Sequence, residues 1–172
     1  MEIKTFFSLI RINQWYKNLV VYLGLIFSLL LFDFRLFVLS TIGFFSLCFI
    51  SSANYIINDI IDNNRDKQYA EKSKRPIASG VVSFKSALFT ALILIVFSLI
   101  IALKLSFGFF IFILLLFFLT FFYSVGLKNV LFLDILIIAS NFVIRAVSGI
   151  FIINKGISPW LILCPFFLAM FF

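Results

Sequence analysis

Asn58-Asp59-Ile60-Ile61-Asp62-Asn63-Asn64-Arg65-Asp66 follows directly on the apolar run Leu36–Ile57. Three carboxylates and a carboxamide thus emerge from the end of a segment long enough to cross a bilayer, which takes about 20 residues. On a helix Asn58, Asp62 and Asp66 are successive i,i+4 neighbours, and Asp59 lies within a turn of Asp62. Polar groups at a bilayer boundary are costly unless a cation or a charged ligand meets them. Three clustered carboxylates repel one another, so a hard divalent cation is their natural partner. Magnesium suits them best, because it takes few protein ligands and keeps positions open for phosphate oxygens.

The rest of the chain sets the solvent. Of its 172 residues 64% are hydrophobic, 27 are phenylalanine and only 12% are charged, which excludes an ordinary soluble domain. Apolar stretches recur at Leu19–Phe32, Leu36–Ile57, Ala87–Leu103, Phe107–Leu127, Val130–Ile153 and Trp160–Phe172. The second, fourth and fifth span outright, the first if it starts near Trp15, and the third if Phe84 is included. The sixth stops after about a dozen residues, too few to cross. The expectation is an all-α, polytopic membrane helix bundle: one domain over residues 1–172, with five spans and a partial sixth, ending inside a helix.

Met1–Asn18 interleaves Lys4, Arg11 and Lys17 with Ile3, Phe6, Phe7, Leu9 and Ile10. That is the pattern of an interfacial helix rather than of a cleaved signal peptide, with Trp15 and Tyr16 at the headgroup level. Cys48 and Cys164 lie in apolar runs without metal-ligand spacing and read as packing residues.

Charge sets the orientation. With a cytoplasmic N-terminus, that side holds Lys4, Arg11, Lys17, Arg65, Lys67, Lys72, Lys74, Arg75, Lys85 and Lys128, against Arg35, Lys104 and Lys155 opposite. Ten against three is a strong positive-inside bias. It predicts a multi-pass protein of the cell membrane with the acidic motif on the cytoplasmic face, where soluble phosphorylated metabolites are found.

The loop Asp59–Ser83 begins acidic and turns basic at Lys67, Lys72, Lys74 and Arg75. Pro76 ends any preceding helix, Ser79-Gly80 supplies a turn, and Ser83 caps the next helix. Acid followed by base suits a metal diphosphate: carboxylates hold the cation and basic groups take the remaining anionic oxygens. The positive-inside rule accounts for Lys67 and Lys72 equally well, but not for three aspartates at helical spacing.

Further polar residues lie within the spans. Asp134, Asn141, Arg145 and Ser148 fall on one narrow stripe at about 100° per residue, and Ser51, Asn54, Asn58 and Asp62 form another. Two such stripes imply a hydrated cavity between helices; the alternative for Asp134 and Arg145 is a structural ion pair. A tight turn at Gly126, Lys128 and Asn129 brings Tyr123 and Lys128 to the same cavity mouth, although Tyr123 alone also suits an interface belt.

These words together resemble a known family. Asn58-Asp59-x-x-Asp62-x-x-x-Asp66 with Lys74-Arg75-Pro76-Ile77-Ala78-Ser79-Gly80 looks like the first aspartate-rich motif of the UbiA-type intramembrane prenyltransferase superfamily. Gln14-Trp15-Tyr16-Lys17-Asn18, Tyr123-Ser124-Val125-Gly126-Leu127-Lys128, Leu133-Asp134-Ile135, Arg145-Ala146-Val147-Ser148-Gly149 and Ser158-Pro159-Trp160 are most similar to the branch that moves phosphoribose onto a polyprenyl phosphate. The resemblance covers nearly the whole chain. It departs at Arg11-Ile12, where the family carries Arg-Pro, and a second polar motif of the family falls after the sixth helix.

The resemblance implies a UbiA-like bundle of about nine helices when complete. It implies magnesium at Asp59, Asp62 and Asp66, with Asp62 and Asp66 catalytic. Substrate contacts are expected at Asn58, Lys17, Asn18, Lys74, Arg75, Tyr123, Lys128 and Arg145. The reaction it implies moves the 5-phosphoribosyl group of phosphoribosyl diphosphate onto a polyprenyl phosphate and releases diphosphate. Its partners would be those two substrates and the lipid bilayer, without nucleic acid; a homo-oligomer is left open. No strong general base is needed for an acceptor already anionic, which fits a chain without histidine. Two alternatives stay open: transfer of a prenyl group from prenyl diphosphate to an aromatic or glycerol-type acceptor, and a non-enzymatic transport or assembly subunit. Transporters of that kind usually show internal repeats with broken helices, and none is evident here.

Overall fold

The computed structural model describes residues 3–130 and 132–171, so the outer ends of Met1–Asn18 and Trp160–Phe172, and Leu131 within the fifth run, lie outside it. All regular structure among the described residues is helical. The helices are α1 (Ile3–Leu9), α2 (Leu23–Phe27), α3 (Phe34–Ile61), α4 (Asn63–Asp66), α5 (Phe84–Leu105), α6 (Phe107–Val125), α7 (Leu133–Ile153) and α8 (Pro159–Met170). Short 3₁₀ turns cover Lys72–Lys74 and Leu127–Asn129, and a long one covers Ile12–Tyr22. Helices α3, α5, α6 and α7 are each long and apolar enough to cross a membrane.

Their ends are fixed by local chemistry. Asp33 accepts the Leu36 amide at 3.0 Å, Ser83 the Ser86 amide at 3.2 Å and Ser106 the Phe109 amide at 3.0 Å, filling N-cap sites of α3, α5 and α6. Ser106 alone joins α5 to α6, and its extended backbone turns the chain back on itself. At 1.5 Å per residue the 28 residues of α3 run about 42 Å, well beyond a hydrocarbon core of about 30 Å. The excess lets its last turn, which carries Asn58 and Asp59, project from the membrane.

The first apolar run departs from the expected α-helix. Residues 12–22 wind as a 3₁₀ helix that starts after Arg11 in a left-handed conformation (φ 50°) and passes into α2. A 3₁₀ helix rises about 2.0 Å per residue, so this stretch with α2 covers about 30 Å in fewer residues than an α-helix needs. Its slender backbone, with Gly24 and Gly149 at the crossing, lets α7 approach closely. A Cβ on Gly149 would lie 2.2 Å from the Val21 carbonyl oxygen. Trp15 packs edge-on against Phe45 and Phe49 of α3 and donates to Ser52 Oγ at 3.0 Å. Tyr16 remains exposed.

Helix α3 is central and packs on α5, α6, α7 and the 3₁₀ segment. Small residues make these contacts, as membrane bundles favour: Ser46 and Ser98 exchange hydroxyl-to-carbonyl bonds of 3.0 and 2.9 Å across α3 and α5. Phe109, Ile113 and Leu116 of α6 fill the core with Leu47 and Ile50, while Phe89, Leu92, Val96 and Phe97 of α5 point outward, as expected beside lipid.

Candidate active site

The acidic motif is almost helical throughout. Asp62 separates α3 from α4, yet its amide still bonds the Asn58 carbonyl at 2.9 Å and its carbonyl accepts the Asp66 amide at 2.8 Å. The i,i+4 stacking of Asn58, Asp62 and Asp66 therefore survives, and all three line one cavity of about 300 Å³. Arg65, Lys72, Arg75, Tyr123 and Lys128 complete its wall. Lys128 Nζ reaches both Asp62 oxygens, at 2.5 and 2.7 Å, and Arg75 Nη1 donates to Asp66 Oδ2 at 2.7 Å.

Asp59 is placed differently. Its buried carboxylate accepts from Arg11 and, at 3.0 Å, from Arg75. It faces a separate surface recess lined also by Glu71 and Lys74. On a helix Asp59 stands about 60° from Asp62 and about 100° from Asn58. Asp59 therefore does not line the motif cavity with Asp62 and Asp66, although one Arg75 nitrogen bridges it to Asp66, and no group of three His, Cys, Asp or Glu side chains that could hold a metal occurs among the described residues. Asp59 acts as a structural anchor, tying the entry to the 3₁₀ segment and the basic loop to the end of α3. Asp59→Asn, which leaves two arginines facing a neutral amide, is expected to cost about 3 kcal/mol of stability, read as a lowered thermal unfolding midpoint in detergent.

The other expected contacts divide. Lys74 lies in the Asp59 recess, while Lys72, which the sequence explains equally as a positive-inside residue, lines the motif cavity. Asn18 is buried in the fold: its amide donates to Cys48 Sγ at 3.3 Å and its oxygen accepts from Ser51 at 3.3 Å. Its burial leaves no room for a ligand there. Tyr123 and Lys128 do share a cavity mouth. Two further cations stand at these cavities beyond the expected contacts: Arg65, inside the motif itself, lines the motif cavity, and Arg11, which nothing in the sequence pairs with Asp59, meets its carboxylate.

The polar stripes meet as expected. Ser51 and Asn54 of α3, Thr120 and Tyr123 of α6, and Asn141 and Arg145 of α7 enclose a second cavity of about 210 Å³, with Lys17 and Tyr55 on its wall. Thr120 donates to Asn141 Oδ1 at 3.0 Å, closing α6 onto α7. Asp134 takes no part; it accepts its neighbour's amide, from Ile135, at 2.8 Å. No Asp134–Arg145 ion pair forms among the described residues.

The motif cavity carries two carboxylates, a carboxamide and four cations. Its oxygen donors at Asn58, Asp62 and Asp66 are of the hard type magnesium prefers, and few enough to leave positions for phosphate oxygens. The excess of cations suits a polyanion.

Known proteins share this architecture. Residues 19–172 match the UbiA prenyltransferase family. Decaprenyl-phosphate phosphoribosyltransferase of Mycolicibacterium smegmatis is 33% identical over 166 residues, covering 94% of this chain and 52% of that protein. An uncharacterised protein of Sinorhizobium fredii is 34% identical over 159 residues, covering 92% and 31%. The chain thus spans from about a third to about half the length of these relatives. Among solved structures, a UbiA homologue of Archaeoglobus fulgidus bound to DMAPP and Mg2+ superposes with a TM-score of 0.81 at 22% identity, over 96% of this chain and 60% of that one. A structure described for digeranylgeranylglyceryl phosphate synthase gives 0.79 at 26% identity, over 98% and 60%. The family match covers most of the chain and the helical architecture agrees with it, so the chain belongs to the UbiA prenyltransferase family.

Proposed function

We propose that the complete protein is a magnesium-dependent membrane transferase that moves 5-phosphoribose from phosphoribosyl diphosphate to a polyprenyl phosphate. The observation that carries this reading is the motif cavity, where Asp62 and Asp66 stand among Arg65, Lys72, Arg75 and Lys128 at the projecting end of a membrane-spanning helix. A relative named as a phosphoribosyltransferase, matched over 94% of this chain, favours phosphoribose as the group transferred.

Asn58, Asp62 and Asp66 would hold magnesium. The ion supplies Lewis-acid stabilisation of charge developing on the leaving diphosphate. Arg75 and Lys128, already held beside the carboxylates, turn toward the diphosphate oxygens and add preorganised electrostatic stabilisation. The bond between C1 of the ribose and the diphosphate oxygen breaks, and the electron pair leaves with diphosphate. An anionic oxygen of the lipid phosphate forms the new bond to C1, so no proton has to be removed. The positive-inside bias supports a cytoplasmic position for the cavity, within reach of a soluble donor.

The test is incubation of the full-length protein, in membranes, with phosphoribosyl diphosphate labelled in the ribose. Label is expected in the lipid extract with magnesium and not with EDTA. Label that stays aqueous, while labelled prenyl diphosphate alkylates an acceptor, would assign prenyl transfer instead.

A further inference from the structure

We infer that the cavity around Arg145 is a metal-free site for the phosphate of a polyprenyl monophosphate, whose chain lies in the groove between the 3₁₀ segment, α7 and α8. The identity of this lipid as acceptor rests on the reading above.

The inner cavity is built for an anion. Arg145 is only 7% exposed, no carboxylate pairs with it among the described residues, and its Nε has no hydrogen-bond partner. Asn54, 4% exposed, lines the same space with both amide atoms unpartnered. A buried guanidinium without a counter-charge is strongly unfavourable, as are orphaned amide atoms, and an anionic ligand would relieve both. Guanidinium geometry matches phosphate oxygens two at a time. Lys17, which lines the same cavity, supplies a second cation.

The lining also says which anion. Among the described residues it holds two cations and no aspartate or glutamate, a lining that favours an anion without a divalent metal. A metal-bridged diphosphate belongs in the motif cavity, where carboxylates are present; a monophosphate fits here. The two cavities share Tyr123, which places a bound phosphate next to the donor's site.

The tail has its own place. Lys17, Ile138 and Phe142 line both the inner cavity and an apolar groove of about 560 Å³ that continues to Cys164, Leu168 and Ala169 of α8. The groove is open along exposed Tyr16, Phe27 and Leu168. An anion-seeking end joined to an apolar channel has the chemistry of a single-chain lipid phosphate.

The experiment measures binding of farnesyl phosphate to the full-length protein in detergent with EDTA, against farnesol. Farnesyl phosphate is expected to bind without magnesium and at least about tenfold more tightly than farnesol. Lys17→Gln and Arg145→Gln are each expected to weaken it about tenfold or more, and Ala169→Trp to weaken it by obstructing the groove. Asp62→Asn should leave this binding unchanged while abolishing retention of phosphoribosyl diphosphate. Because Arg145 is buried and its replacement disturbs the fold, half-buried Lys17 is the deciding variant. Farnesyl phosphate binding that needs magnesium, falls with Asp62→Asn, or is indifferent to Lys17→Gln in folded protein would overturn the assignment. EDTA-insensitive, Lys17-dependent binding by a protein that never labels lipid with phosphoribose would support the site while refuting the transfer reaction.

Discussion

Asp62→Asn in the full-length protein is expected to lower kcat/KM for magnesium-dependent transfer by about a thousandfold, with little change in stability. Lewis-acid stabilisation by a metal contributes several kcal/mol in the transition state, and each 1.4 kcal/mol or so is a factor of about ten in rate. An amide keeps the size of the side chain and loses the charge that would hold the ion. The carboxylate is 19% exposed and Lys128 is its single ion-pair partner among the described residues, so the structural loss stays near 1 kcal/mol. Asp59→Asn should show the reverse pattern, because its carboxylate is 4% exposed and serves two arginines. Parallel measurement of turnover and unfolding midpoint separates the two aspartates. Equal turnover in wild type and Asp62→Asn would remove the metal from this site and the proposed reaction with it.

Gly149→Val is expected to destabilise the fold by about 3 kcal/mol or more, lowering the unfolding midpoint sharply. Even the Cβ of alanine would stand 2.2 Å from the Val21 carbonyl oxygen and 3.1 Å from its carbonyl carbon. Both are backbone atoms, so no rotamer change relieves the contact; the 3₁₀ segment has to move away from α7. Overpacking of this kind typically costs about 1–3 kcal/mol, and the larger valine adds to it. Displacing the segment also carries Lys17 away from Arg145. Gly156→Ala, with nothing within 4 Å of its Cβ, is the neutral control. At Gly108 the obstacle is the Phe151 ring, a side chain rather than backbone, so Gly108→Ala should fall between them. Thermal unfolding in detergent ranks the three, and a Gly149→Val protein as stable as the Gly156→Ala control would contradict the close crossing.

The membrane bundle was legible because the bilayer filters sequence severely. Spans α3, α5, α6 and α7 follow from runs of apolar residues, and Ser83 from its position before one of them. The inner cavity was legible too: helical periodicity puts Asn54 and Arg145 on stripes that have to face each other rather than lipid. The winding of the N-terminal apolar run was not, since an almost continuously apolar stretch carries no clear periodicity, and the close approach to Gly149 is visible only in the folded chain.

At the acidic motif the division is finest. Local sequence determined that Asn58, Asp62 and Asp66 share a helical face, since backbone geometry alone imposes it. Only the tertiary structure decided where each charge is satisfied. Arg75 folds back from the end of the same loop to join Asp59 with Asp66, Arg11 comes from before the first span to Asp59, Lys128 comes from beyond α6 to Asp62, and a 3₁₀ turn of about 120° per residue sends Lys72 and Lys74 to different cavities. Charge pairing acts through space between segments far apart in the chain, and a linear pattern of acids and bases does not encode which of them meet.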